Sequence, residues 1–107
     1  MLACCLLPKG ASGAVPYTKS TLKLGQEMHK AYKADLADSI TKFKEYVLPN
    51  GKRIDFIDFE SKKIYELKPY NPRAMKAGEK QLEQYLQEIK GNVEKFGDGW
   101  KVQLDTY

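Results

Sequence analysis

Two carboxylates and an ammonium group fall close together near the middle of the chain: Asp55, then, after ten intervening residues, Glu66-Leu67-Lys68. Arg53-Ile54-Asp55-Phe56-Ile57-Asp58-Phe59 and Ile64-Tyr65-Glu66-Leu67-Lys68 both read as strands, joined by a turn at 60–63. With Ser61 and Lys62 at the tip of that hairpin, Asp55 faces Lys68, Ile57 faces Glu66 and Asp58 faces Tyr65. Opposed side chains share a face of a sheet, so Asp55, Glu66 and Lys68 lie together and Asp58 lies behind them. A one-residue slip would exchange Asp58 for Asp55. Two neighbouring carboxylates repel when both are ionised unless a cation stands between them. Hard oxygen ligands suit Mg²⁺ or Mn²⁺, with waters and a substrate phosphate completing the shell. Such an ion polarises a phosphoryl oxygen and helps generate hydroxide. A lysine beside it orients that water or neutralises charge developing on phosphorus. The bland alternative is a cross-strand Asp–Lys pair on a solvated face, worth under ~1 kcal/mol.

Several elements must hold these groups. Ser20 is placed to cap a helix from Thr21 to about Asp38. Leu24, Met28, Ala31 and Asp35 form its inward stripe, with Tyr32 beside it. Glu27 lies about 60° from the centre of that stripe, at the border of the buried face. Residues 44–48 form a short strand, and Pro49-Asn50-Gly51-Lys52 carries the Asn-Gly hairpin signal. Pro69 ends the third strand because it has no amide hydrogen for a ladder. Asn71-Pro72 starts a second long helix, with Asn as N-cap and Pro at the first helical position. Met75, Gly78, Leu82, Tyr85, Leu86, Ile89 and Val93 repeat along it with helical period. Residues 100–105 alternate as a last strand. Trp100, Tyr46 and Phe56 belong to the core or its rim. The order is helix, three-strand antiparallel meander, helix, strand, an α/β domain of α+β type with helices on one sheet.

The chain of 107 residues has the length of one domain. With 42% hydrophobic and 30% charged residues, its composition excludes disordered and fibrous classes. It is also too short for a two-domain enzyme with a separate cofactor-binding domain. The formal net charge of +4 concentrates in residues 61–80, where Lys62, Lys63, Lys68, Arg73, Lys76 and Lys80 outnumber Glu66 and Glu79. The rest of the chain is balanced, so an anionic partner is expected there. Arg73, Lys76 and Lys80 make a basic stripe at a helix N-terminus; a solvated face is its bland reading, and the free amides there favour phosphate as the functional one. Residues 1–19 read as a linker, a tag remnant or the tail of an upstream region, and 20–107 as the folded domain. Cys4 and Cys5 are adjacent and make neither a disulfide framework nor a zinc site. The apolar run at 2–7 is far short of the ~20 residues of a membrane span, and it lacks the parts of a signal peptide. The Pro8–Gly13 stretch has linker composition. His29, the single histidine, is expected to be structural or solvated, pointing away from Glu27, with assistance near a phosphate as its functional alternative.

The ordered set Asp55, Glu66-Leu67-Lys68 resembles the Asp…Glu-x-Lys signature of the PD-(D/E)XK, or restriction-endonuclease-like, nuclease superfamily. The element order is similar to that superfamily's α-β-β-β-α-β core. Ile54 stands where the superfamily's name has proline. Its first helix often carries a glutamate at the site, a role that falls to Glu27. Gln81-Leu82-Glu83-Gln84-Tyr85 resembles a Gln-x-x-x-Tyr motif of one subgroup, with Gln81 and Tyr85 one helical step apart. Residues 53–58 and 64–74 are together similar to restriction-endonuclease-fold toxin domains at the C-termini of bacterial polymorphic toxins, including those of contact-dependent growth inhibition. The resemblance spans residues 21–107.

This resemblance implies a metal-dependent endonuclease toxin that hydrolyses DNA phosphodiesters in competitor cells. Asp55, Glu66 and the backbone carbonyl of Leu67 would hold the divalent metal, Mg²⁺ first and Mn²⁺ or Zn²⁺ as alternatives. Glu27 would be a further ligand or orienting group, and Lys68 would position water or stabilise the transition state. Gln81, Tyr85, Arg73 and Lys76 would place the substrate. No small-molecule cofactor is expected. A cognate immunity protein would neutralise the toxin. Delivery would be from a secreted or cell-surface effector into the cytoplasm of a target bacterium. An RNase that cuts tRNA on the same fold, and a non-catalytic basic module that binds nucleic acid or protein, remain the alternatives.

Overall fold

The computed structural model describes residues 16–107. The expectations for Cys4, Cys5, the apolar run and the linker therefore lie outside the described residues. The elements run in order α1 (Leu22–Ala31), β1 (Lys42–Val47), β2 (Arg53–Asp58), β3 (Lys63–Lys68), α2 (Pro72–Gly91), α3 (Val93–Phe96) and β4 (Lys101–Thr106). The strands form one sheet in the order β1-β2-β3-β4. β1, β2 and β3 are antiparallel neighbours, and α2 carries the chain across to β4, which lies parallel to β3. The expected meander, helix and final strand are all present, and the short α3 is an addition.

α1 starts one residue later than expected, since Thr21 rather than Ser20 accepts the Leu24 amide, at 3.1 Å. It also stops at Ala31 instead of continuing to about Asp38. Two local features end it. Lys33 has a φ of 51°, incompatible with a right-handed helix. The Lys44 ammonium on β1 donates to the carbonyls of His29, Lys30 and Tyr32, which caps the helix from outside. Asp38 then accepts the amides of Ile40, Thr41 and Lys42 on one carboxylate oxygen and turns the chain into β1. Leu24 and Met28 of the expected stripe are half-buried, whereas Ala31 and Asp35 are exposed.

The β2–β3 hairpin differs from the expected register by two residues: Phe56 pairs with Tyr65, Ile57 with Ile64 and Asp58 with Lys63. The four-residue turn is one position earlier, at 59–62. Asp58 fixes it by accepting the Glu60 and Ser61 amides, at 2.9 and 3.2 Å, and Lys62 adopts a φ of 54°. An even shift leaves every side chain on its face, so the separation of Asp55 from Asp58 survives. Asp55 lies beyond the last pair, Phe56–Tyr65, and is not paired with Lys68.

α2 begins as the sequence indicates, with the Asn71 side chain accepting the Ala74 amide at 2.8 Å and Pro72 in the first turn. Its inner face packs Leu82, Tyr85 and Ile89 on Ile54, Ile57 and Ile64, with Phe96 and Trp100 closing one end. Truncating a fully buried residue such as Ile64 costs ~2–5 kcal/mol. A smaller cluster of Tyr32, Phe56 and Leu67 lies across the sheet, with Met28, Tyr65 and Tyr107 against it. Buried Asp105 of β4 accepts from the Tyr32 hydroxyl at 2.6 Å and from Gln103 at 2.7 Å, anchoring the segment after α1. Burial and this carboxylate push the Tyr32 hydroxyl's pKa far up, so it stays a donor.

Candidate active site

Asp55 stands where β2 is not paired regularly on either side. Beside it on β1, Glu45 has a φ of 51°. On the other side, the β2–β3 pairing ends at Phe56 and Tyr65. The strands part here, and the Asp55 carboxylate takes the place of a carbonyl: its Oδ2 accepts the Leu67 amide at 2.8 Å. This contact ties Asp55 to the residue between Glu66 and Lys68.

Glu66 is only 4% exposed. Its Oε2 lies 3.5 Å from the Lys68 ammonium, and its Oε1 is buried without a hydrogen-bond partner among the described residues. Burial and then the Asp55 charge push its pKa up to about 7, against the opposing pull of Lys68. Lys68 reaches Glu66 by passing α2 at Gly78, where an added Cβ would stand 2.8 Å from Lys68 Cγ and 2.7 Å from Leu104 Cδ1. A glycine in the middle of α2 is therefore what leaves room for the lysine stem.

These groups open into a cleft of about 900 Å³ between α1, the middle strands and α2. Gln81 lines it, with a buried Oε1 that has no partner among the described residues. Tyr85 lines it too, but its hydroxyl donates to the Arg53 carbonyl at 2.8 Å, so it braces β2. Burial, followed by the Glu66 and Asp55 charges, pushes the pKa of that hydroxyl up to about 12.

Four expected site residues do not line the cleft: Leu67, buried beside Tyr32 and Phe56, and three that are exposed. Glu27 is exposed and absent from its lining, to which α1 contributes Leu22, Gly25, Gln26, His29 and Lys30. Arg73 and Lys76 are exposed on α2 and also absent from the lining. The cleft's cations are instead Lys30, Lys44, Arg53 and Lys68, drawn mostly from outside the basic stretch at 61–80. Lys62 of that stretch is engaged elsewhere, donating to the Asp98 carbonyl.

His29, expected to point elsewhere, lies at the site with Nε2 3.4 Å from Asp55 Oδ2. Its Nδ1 donates to the Gly25 carbonyl at 2.9 Å. The neighbouring Asp55 raises its pKa to about 8 against the opposing effect of burial. Successive helical residues are ~100° apart, so Glu27 and His29 flank Met28 on opposite sides. The helix turns the His29 flank toward Asp55.

Among the described residues, no three His, Cys, Asp or Glu side chains stand close enough together to make a ready metal cage. The Asp55–Glu66 pair nevertheless fits a divalent cation: two carboxylates adjoin, one of them buried with an unpartnered oxygen. Mg²⁺ in particular is often held by one or two carboxylates, with water and substrate oxygens making up the rest.

A mixed four-stranded sheet with helices over it, and Asp, Glu-x-Lys where its middle strands part, defines a restriction-endonuclease-like α+β domain. The family model described as restriction endonuclease fold toxin 9 matches residues 17–107, and the chain belongs to that family. None of the curated proteins or solved structures compared with the chain matches it. The family is one of toxins on a nuclease fold, whose nucleases generally use divalent metals. No helix of the described residues is long and apolar enough to cross a membrane.

Proposed function

We propose that this domain is a divalent-metal-dependent endonuclease that hydrolyses DNA phosphodiester bonds inside a target bacterium. The observation that carries this reading is the Asp55–Glu66 pair, half-buried Asp55 beside buried Glu66, with the unpartnered Glu66 oxygen and Lys68 beside it, in an open, cation-lined cleft.

Asp55, Glu66 and the Leu67 carbonyl hold the ion, Mg²⁺ in the first instance. Bound there, it supplies Lewis acidity at a phosphoryl oxygen and lowers the pKa of a coordinated water. Lys68 directs its ammonium to the attacking water and to the charge growing on the phosphate oxygens. Asp55, fixed by the Leu67 amide, keeps its second oxygen for the site. Gln81 offers its side-chain amide to the substrate, and Lys30 and Arg53 meet phosphates along the cleft. Such contacts fix the backbone without reading bases, so cleavage is salt-sensitive and of low sequence preference. Arg73 and Lys76, exposed outside the cleft, extend the positive surface rather than touch the reacting group. A cognate immunity protein with an acidic surface covers the cleft, and delivery is as part of a larger effector.

The test is incubation of the purified domain with plasmid and, in parallel, with total RNA, in Mg²⁺, Mn²⁺ or EDTA. Plasmid cutting that needs the metal and is lost in Glu66→Ala is the expected result. Cutting of RNA with plasmid left intact would replace DNA as the substrate. Cutting that survives both Asp55→Ala and Lys68→Ala would remove the site assignment, and no cutting in any metal would leave a binding module.

A further inference from the structure

We propose that Glu45 is a displaceable counter-anion: its carboxylate holds the Arg53 guanidinium in the free domain and yields it to a phosphate of the bound strand. The inference rests on the nuclease reading above and gives a role to a cleft residue which that reading leaves idle.

Three observations carry it. The first is the backbone. Lys44 pairs with Phe56 and Tyr46 with Ile54, so Glu45 stands between those pairs, next to Asp55. Regular strand geometry would set the two carboxylates on one face, where opposed like charges destabilise a sheet. Glu45 instead has a φ of 51°, a left-handed conformation that a non-glycine residue rarely adopts. In that conformation its Oε1 accepts from Arg53 Nη1 at 3.0 Å.

The second is how loosely the pair is held. The Arg53 and Glu45 side chains are 63% and 62% exposed, and both residues line the cleft. A solvated pair of this kind opens at little cost. The Arg53 backbone is firmly placed, since its carbonyl accepts the Tyr85 hydroxyl at 2.8 Å. The guanidinium head is the part free to change partner, and its planar fork suits phosphate as well as carboxylate.

The third is what the other cleft cations do. Lys44 is tied to three carbonyls at the end of α1, and Lys68 stands on buried Glu66. Both are committed where they are, one to the fold and the other to the reacting centre. Arg53 differs in that its partner is an exposed carboxylate with no such duty. An isolated phosphate at Arg53 would exchange one anion for another and gain little. A strand that also reaches exposed Lys30 of α1 gains at each contact.

The experiment measures binding of a short labelled DNA duplex to the intact domain by fluorescence anisotropy over a range of salt. It is run in EDTA and in Ca²⁺, with an RNA of equal length as a parallel arm. Glu45→Gln is expected to bind about 3–10-fold more tightly at low salt, with a salt slope steeper by about one phosphate contact. Glu45→Asn, a residue more at home in left-handed backbone, is a second variant expected to show the same gain. Glu83→Gln removes the same charge from an exposed site on α2 outside the cleft lining. Its affinity is expected to change less than about twofold. In an Arg53→Gln background the gain from Glu45→Gln is expected to fall below about twofold, because the two residues act as a pair. Circular dichroism verifies the fold of each variant. A gain that persists without Arg53, a gain that Glu83→Gln matches, or no gain in folded Glu45 variants overturns this inference alone. A wild type that binds RNA but not DNA overturns the DNA reading, and the same arms then decide the exchange on RNA. Failure of the wild type to bind either nucleic acid overturns both the inference and the nuclease reading.

Discussion

Asp55 Oδ2 accepts the Leu67 amide at 2.8 Å, so a carboxylate proposed to hold metal also completes the hydrogen bonding of β3. The two roles separate by substitution. Asp55→Asn keeps an acceptor for the amide and is expected to melt near the wild-type temperature without cleaving DNA. Asp55→Ala strands that amide, which costs ~1–3 kcal/mol. At ~4–8 °C per kcal/mol for a domain of this size, calorimetry should show a clear drop in Tm. Equal melting of the two variants would deny the structural half of the role.

Glu66 has a folded pKa of about 7, raised from 4.5, and His29 has one of about 8, raised from 6.5. In both, the folded state holds its proton more tightly than the unfolded chain. Stability from Glu66 is therefore full below pH 4.5 and lost as pH rises through about 7, and that from His29 is lost through about 8. Urea titrations of the metal-free domain should show falling stability from about pH 5 to about pH 8. Glu66→Gln, which cannot ionise, should flatten most of that slope, raise Tm at pH 8 by about 5 °C and abolish cleavage. A slope unchanged by Glu66→Gln would mean the carboxyl is not strained.

Gly78 leaves the space through which Lys68 passes. Alanine there gains up to ~1 kcal/mol of helix propensity but meets Lys68 Cγ at 2.8 Å. The two effects oppose each other in stability, and only one of them acts on the site. Gly78→Ala, which also crowds Leu104 Cδ1 at 2.7 Å, should lower Tm modestly and cleavage at least ~10-fold, because small displacements of a reacting group are costly. Full activity in this variant would show that the lysine stem adapts freely.

Lys44 holds the end of α1 through the carbonyls of His29, Lys30 and Tyr32. Lys44→Met keeps most of the stem but none of these bonds. A loss of about 1–2 kcal/mol is expected in urea unfolding, with earlier proteolysis near residues 31–37. Unchanged proteolysis would place the anchoring of α1 elsewhere.

The order of the strands and the two long helices, the Asn71 cap and the approach of Asp55 to Glu66 and Lys68, which line one cleft, were legible in the sequence. Each depends on local chemistry or on the two-residue period of a strand. The register itself was not legible, because it followed from Asp58 binding the Glu60 and Ser61 amides and moving the turn by one position. A two-residue error happens to conserve faces, and for that reason Asp58 stayed out of the site. The exchange of Glu27 for His29 was hidden for a different reason. Periodicity locates a buried stripe, but which flank of it meets a neighbouring strand depends on how the helix docks. The end of α1 was set by Lys44, a residue thirteen positions beyond Ala31. Nothing within the helix announced it.

α1 contains no fully buried residue. The segment before it is fastened by Thr18 to the carbonyls of Tyr70 and Tyr107, at 2.9 and 2.6 Å, and by Ser20 to the Tyr107 hydroxyl at 2.6 Å. Tension drawn through residue 16 would load these few bonds before it reached the four-stranded sheet. They would give way first, and α1 would peel off as a strap, carrying His29 from Asp55. Threaded by that end through a narrow passage, the domain would lose the α1 wall of its cleft before its sheet, and recover it last on the far side.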